Sequence, residues 1–131
     1  MTNKIKNPGT EQRLHENLSW ERTLDFCLQE NAFMKTRLAE VLEDVSDKDM
    51  ITMAEYFHNS FIHNDDSIKE LKGDIVWEQR KMKEIIQDGK PEENSLVQRH
   101  RKLSNEMGNF DKNFTGLKAE FNRYLSSLLK L

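Results

Sequence analysis

The stretch LVQRHRKLSNEMGNFDKNFTGLKAEFNRYLSSL, residues 96–128, decides the fold of this chain. It contains no proline, and apolar or ring side chains recur in it at steps of four and three residues. These positions are Leu96, His100, Leu103, Met107, Phe110, Phe114, Leu117, Phe121, Tyr124 and Leu128. Such spacing brings the side chains to one face of an α-helix. The stretch therefore predicts one long helix that packs against other helices.

Two earlier stretches repeat this spacing. The first runs through Trp20, Leu24, Cys27, Asn31, Met34, Leu38, Val41 and Val45, and the second through Met50, Ala54, Phe57, Phe61, Asn64, Ile68, Leu71, Ile75, Glu78, Met82 and Ile85. The pattern predicts helices over about 11–45, 47–88 and 91–130, and short turns make neighbouring helices antiparallel. We therefore predict an all-α fold, a long up-down-up three-helix bundle with coiled-coil-like packing, which dimerisation could complete.

The breaks in the pattern give the predicted boundaries. Residues 1–10 are polar and contain Pro8, so they predict a flexible N-terminal arm, with residues 11–131 as a single bundle domain. Thr10 and Ser46 are candidate N-caps, and Gly89 suits a helix C-terminus. Pro91 suits the first turn of the third helix.

The second helix has one doubtful point, at residues 64–67. Ser67 and Glu70 form a capping box, which would begin a new helix there. The apolar spacing runs on through Phe61, Asn64 and Ile68, which favours one continuous helix.

Composition excludes several classes of protein. Charged residues make up 33% of the chain, the net charge is -3 and the isoelectric point is about 5.8. This acidic balance argues against nonspecific binding of nucleic acid. No apolar run approaches the ~18 residues of a membrane helix, and the first residues lack the apolar segment of a secretory signal. A single cysteine, Cys27, together with the lack of a signal, predicts a reducing, cytoplasmic location.

Polar residues on the apolar faces are the candidate functional positions. Asn31 and Asn64 are expected in one layer of the bundle, level with Gly116. The simplest interpretation is a structural hydrogen bond between the two amides that fixes the register of the helices.

A second polar layer is expected from His15, Glu78 and His100, which lie level with one another in an up-down-up bundle. Two histidines and one carboxylate are suitable ligands for Fe, Mn or Zn. The alternative is a structural hydrogen bond between Glu78 and His100, or hydrated side chains near the open end of the bundle.

Three weaker signals lie elsewhere in the sequence. Glu55 and His58 have the Glu-x-x-His spacing of di-iron bundles, but no second copy exists and Phe57 turns them away from the core. Cys27 is expected to be an inert packing residue. A basic cluster is interleaved with acidic residues, which is typical of a solvated face. Its members are Arg80, Lys81, Lys83, Arg99, Arg101 and Lys102.

Residues Leu14–Val41, Glu55–Ile62 and Glu70–Lys72 resemble a set of small uncharacterised bacterial helical proteins. The shared features are Trp20, Phe26, Arg37-Leu38, a Glu-x-Phe-x-Asn-x-Phe run and a closing aromatic segment such as residues 120–124. The resemblance spans most of the chain and implies an all-helical fold. It implies no activity, cofactor or functional residue. Ferritin-like and hemerythrin-like bundles are more distantly similar in shape, but their ligand patterns are absent from this sequence.

The sequence alone leaves the function open. The leading hypothesis is a non-enzymatic helical bundle that acts through protein–protein contacts or self-association, most simply as a homodimer, with no nucleic-acid or membrane partner. The alternative is a metal-binding bundle of the stress-response type that uses His15, Glu78 and His100. A third option is an adaptor for an anionic partner, bound through the basic cluster.

Overall fold

The computed structural model describes residues 8–130 of the chain. It contains three helices, α1 (Pro8–Leu42), α2 (Lys48–Asp88) and α3 (Asn94–Leu128), joined by two short connections. The three helices pack as an up-down-up bundle, which confirms the predicted fold class. Most of the predicted arm, residues 1–7, and Leu131 lie outside the described residues.

The helix boundaries differ from the prediction by a few residues. Helix α1 begins at Pro8 rather than at residue 11, because a proline suits the first turn of a helix. Thr10 is therefore helical and fully buried, and its hydroxyl donates a hydrogen bond to Glu92. Pro91 lies before α3, whose first helical residue is Asn94.

The caps of α2 explain both of its ends. Asp47, and not Ser46, is the N-cap, since its side chain accepts a hydrogen bond from the backbone N–H of Met50 at 3.0 Å. Gly89 is the predicted C-cap and has φ +64°, a left-handed conformation that glycine adopts without strain. Between these caps α2 is continuous through residues 64–67, as the apolar spacing favoured.

A layer of polar residues divides the apolar core. On one side lies the larger cluster, which includes Leu24, Phe57, Phe61, Ile75, Leu103, Phe121 and Tyr124. On the other side Met82, Ile85 and Leu96 pack with Leu14, near the α2–α3 connection. The side chains of Asn17, Glu78 and His100 are buried between the two.

The helices are not equally close. Helices α1 and α2 make the most extensive contact, and α1 and α3 the least. Tyr124 ties α3 to the start of α2, because its hydroxyl donates to the carbonyl of Met50 at 2.8 Å. An ion pair between Arg13 and Glu92 ties α1 to the α2–α3 connection. The loose α1–α3 side leaves a groove along the bundle.

Within residues 8–130, none of the helices combines the length and the apolar character that crossing a lipid bilayer would require.

Candidate functional site

The buried polar layer is centred on the imidazole of His100, which joins all three helices. Its Nδ1 lies 2.8 Å from Oε1 of Glu78 on α2, and its Nε2 lies 3.0 Å from Oε1 of Glu16 on α1. A neutral imidazole has one N–H, so both contacts are hydrogen bonds only when the ring is protonated. The two contacts therefore favour the protonated form of the ring.

The surroundings of the ring are consistent with this charge. The indole of Trp20 stacks on the His100 ring at 4.7 Å between centroids. Burial lowers the pKa of His100, but the hydrogen bonds and charges of Glu78 and Glu16 outweigh it, so the pKa is raised above its usual 6.5. The ring is consequently protonated over a wider pH range than a free histidine.

Two oxygen atoms of the layer lack a hydrogen-bond partner within the described residues. These are Oε2 of Glu78 and Oδ1 of Asn17, and both side chains are fully buried. The amide of Asn17 does approach Glu78, with Nδ2 3.4 Å from Oε1. A buried acceptor without a hydrogen-bond partner lowers the free energy of unfolding. The layer therefore holds the three helices together at a cost in stability.

The structure brings Glu78 and His100 together, as the level positions predicted, but it does not bring His15 to them. His15 is exposed on α1, and the inward position is taken by Asn17, with Glu16 beside it reaching His100. Both ring nitrogens of His100 already face carboxylates, on opposite sides of the ring. Among residues 8–130, no group of three or more His, Cys, Asp or Glu side chains is arranged to hold a metal ion.

The second layer, from Asn31 and Asn64, has the expected amide contact. Nδ2 of Asn64 lies 3.4 Å from Oδ1 of Asn31, which is fully buried. Asn31 also donates to the carbonyl of Phe61 at 2.8 Å and to Oδ1 of Asp65 at 2.7 Å. Asp65 in turn pairs with Lys35 at 2.5 Å. These bonds link α1 to the middle of α2 and keep the two helices in register.

A groove between α1 and α3 is not predicted by the apolar spacing of the sequence. It has a volume of about 400 Å³ and is bounded on α1 by Phe26 and Phe33, which are 59% and 71% exposed. Met34 on α1 and Phe121 and Leu125 on α3 contribute apolar surface to the same groove. An ion pair between Glu30 and Lys118, at 2.6 Å, crosses it. An apolar groove between two helices is a surface that suits a third helix.

The remaining candidates have ordinary surroundings. Glu55 and His58 are exposed while Phe57 is buried, so the Glu-x-x-His pair does face outward. Burial, reinforced by Glu30 and Asp111, raises the pKa of Cys27 to about 11, which suits an unreactive thiol.

The basic cluster lies beside acidic partners. Arg99 pairs with Asp74 at 3.7 Å, and Lys102 pairs with Glu106 at 3.9 Å. Arg99 also stacks on Trp77, with 3.9 Å between its guanidinium carbon and the ring centroid. The cluster is thus a mixed-charge, solvated face.

The chain was compared with known protein families, with curated proteins and with solved structures, and none of them matches it. The resemblance to small bacterial helical proteins therefore stays a prediction.

Proposed function

We propose that this chain is a non-enzymatic helical-bundle protein that acts through protein–protein contact, and that its α1–α3 groove receives a helix of the partner. The observation that carries the proposal is the pair Phe26 and Phe33. They lie seven residues apart, on one face of α1, and are the two most exposed aromatic side chains of residues 8–130. Aromatic side chains gathered beside an apolar groove mark binding surfaces.

The groove supports this function better than the polar layers do. Its apolar side chains stand next to a rim of both charges, from Glu30, Lys118 and Arg37. Apolar surface surrounded by polar side chains is the usual arrangement of an interface. In the His100 layer, by contrast, Glu78 is fully buried and its Oε1 is occupied by His100.

A cytoplasmic location is part of the same proposal. It is supported by the single thiol of the chain, Cys27, which has no second cysteine with which to form an internal disulfide.

The test is photo-cross-linking inside the cells that naturally make the protein. Phe33 is replaced by the photoreactive amino acid benzoyl-phenylalanine, and Ile62 is replaced in a matched control. Ile62 is a partly exposed apolar residue on α2, outside the groove. The proposal predicts that light produces protein adducts at position 33 and few at position 62. No adduct at position 33, or equal adducts at both positions, would contradict it.

A further inference from the structure

We propose that the cleft between α2 and α3 binds a linear polyamine, whose ammonium groups pair with a row of carboxylates that ends at Glu78. The cleft consists of two adjoining cavities of about 280 and 510 Å³, which share Asp74, Lys102 and Glu106 in their walls. The described residues that line it are all different from those that line the α1–α3 groove. This site is therefore separate from the surface proposed for a protein partner, and either can exist without the other.

One oxygen atom of Glu78 lacks a hydrogen-bond donor. Glu78 lines the smaller cavity and is fully buried, and its Oε2 has no partner within residues 8–130. Its Oε1 faces His100, whose other ring nitrogen faces Glu16, so the protonated ring and the two carboxylates together keep one negative charge. Leaving a buried carboxylate oxygen without a donor is costly. An ammonium group in the cavity would supply both the N–H donor and the opposite charge.

Three carboxylates of α2 line the cleft at regular intervals. Glu70, Asp74 and Glu78 follow one another at steps of four residues, which places them on one face of the helix. Successive positions are about 6 Å apart along the axis, at about 1.5 Å per residue. Two ammonium groups joined by four methylene groups are also about 6 Å apart when extended, since each bond is about 1.5 Å long. A linear polyamine therefore matches the spacing of this row.

The charged side chains of the cleft are mainly acidic. Glu106 on α3 adds a fourth carboxylate, whereas Arg99 and Lys102 are the two cations among the described residues that line the cleft. Both cations make long ion pairs, Arg99 with Asp74 at 3.7 Å and Lys102 with Glu106 at 3.9 Å. The side chain of Lys102 is also 80% exposed, so it does not close the cleft. The excess of carboxylates attracts a cationic ligand.

Apolar side chains beside the carboxylates favour an organic cation over a metal ion. Leu71, Leu103 and Phe110 line the same cleft and are 7%, 3% and 8% exposed. The methylene groups of a polyamine can cover such surface while its ammonium groups reach the carboxylates, as the stem and head of a lysine do. Within residues 8–130, no three carboxylates are grouped closely enough to hold a metal ion. A chain of separated positive charges therefore fits the cleft better than a single ion.

The first test is an NMR titration of the full, isotope-labelled chain with spermidine, a linear triamine, at an ionic strength of about 0.15 M. The amide signals of residues 70–78 on α2 and 99–106 on α3 should move together and reach saturation. Signals that do not saturate, or that move equally at all acidic surfaces, would overturn the proposal.

A matched probe tests the need for an N–H donor at Glu78. Fully N-methylated spermidine keeps the length and the three charges of spermidine but has no N–H group. It should bind at least about tenfold more weakly, because it cannot donate a hydrogen bond to a carboxylate. Equal affinity for the two probes would overturn the assignment of Glu78 as a ligand of an ammonium group.

A pair of variants tests the location of the site. Asp74→Asn/Glu106→Gln changes two partly exposed side chains of the cleft and should weaken spermidine binding about tenfold. Glu43→Gln/Glu55→Gln is the matched control, since it removes the same charge at exposed positions outside the cleft. The control should change the affinity by less than about twofold, because distant exposed charges are screened by salt. Equal weakening in both double variants would show a general attraction to an acidic protein and would overturn the proposed site.

Discussion

Nδ1 of His100 lies 2.8 Å from Oε1 of Glu78, and this contact occupies the boundary between the two apolar clusters of the core. Glu16 engages the other ring nitrogen at 3.0 Å and, being 44% exposed in its side chain, connects the layer with solvent. One side chain of α3 is thereby bonded to both other helices. The α1–α3 side is the loosest in the bundle, so this layer is one of the few places where α1 and α3 are joined directly.

The stability that His100 provides should depend on pH. Its pKa is raised in the folded chain, so the folded state binds the proton more tightly than the unfolded state does. The stabilisation is therefore fully present below pH 6.5, the ordinary value, and is lost as the pH rises through the folded pKa. We predict that His100→Gln lowers the free energy of unfolding most below pH 6.5 and progressively less above it.

Urea denaturation of both proteins at several pH values measures this difference. The loss in the free energy of unfolding caused by His100→Gln should shrink as the pH rises. A loss that stays constant or grows would contradict the protonated state of the ring.

Replacing one buried side chain of the His100 layer should lower the free energy of unfolding more than replacing all three of its buried side chains. His100→Leu leaves the buried Glu78 carboxylate without its partner, and such a loss costs about 3–5 kcal/mol. The triple substitution Asn17→Leu, Glu78→Leu and His100→Leu also removes the two unpaired oxygens. Well-packed apolar replacements of buried ion pairs are often neutral or stabilising by about 1–4 kcal/mol.

Chemical denaturation of the two variants tests this ordering. A triple variant that is less stable than His100→Leu would contradict the predicted ordering.

The Asn31 layer is predicted to be structural. Asn31→Ala removes the side chain that bonds Phe61, Asp65 and Asn64, and leaves buried groups without a partner. We expect a loss of about 1–3 kcal/mol in the free energy of unfolding. Asn122→Ala, at an exposed position on α3, is the control and should change stability by less than about 0.5 kcal/mol. Equal losses of stability in Asn31→Ala and Asn122→Ala would contradict the structural role of Asn31.

Two glycines should respond in opposite directions to the same substitution. Gly89 has φ +64°, so Gly89→Ala should destabilise the chain by about 1 kcal/mol. Gly73 lies within α2, and a Cβ there would have no atom within 4 Å, so Gly73→Ala should stabilise it by about 1 kcal/mol. Thermal unfolding of both variants shows whether each substitution stabilises or destabilises the chain. The same sign for both would contradict the assigned backbone at Gly89.

The apolar spacing predicted the fold because three long helices need little more than one apolar face each. It also placed Glu78 beside His100, since both lie in register with apolar residues. Asn17 was missed although a signal existed. Thr10, Asn17, Leu24, Asn31 and Leu38 follow one another at steps of seven, and all five are buried. Toward the N-terminus from Leu24, the series continues with Asn17 and Thr10. Both are polar, so they do not extend the apolar pattern.

Other features depend on relations that the sequence does not contain. Glu16 reaches His100 from the edge of α1, so its part in the layer depends on helix rotation and side-chain conformation. The groove exists because α3 stands away from α1, and apolar spacing alone does not set the distance between helices. Phe26 and Phe33 fall outside the spacing of four and three residues, and the spacing does not say whether such residues are covered; the structure leaves them exposed.

The most direct test of the central claim is photo-cross-linking in the cells that make the protein, through benzoyl-phenylalanine in place of Leu125 on the α3 side of the groove, in a variant that lacks both exposed aromatics, Phe26→Ser/Phe33→Ser. Ile62→Ser is the matched control, and circular dichroism verifies that each variant keeps its helices. The account predicts that the double variant loses nearly all protein adducts, since central aromatic residues each contribute about 2 kcal/mol or more to binding, while the control keeps the adducts of the chain with both aromatics. A double variant that forms as many adducts as the chain with both aromatics would contradict the claim that this chain acts through its α1–α3 groove.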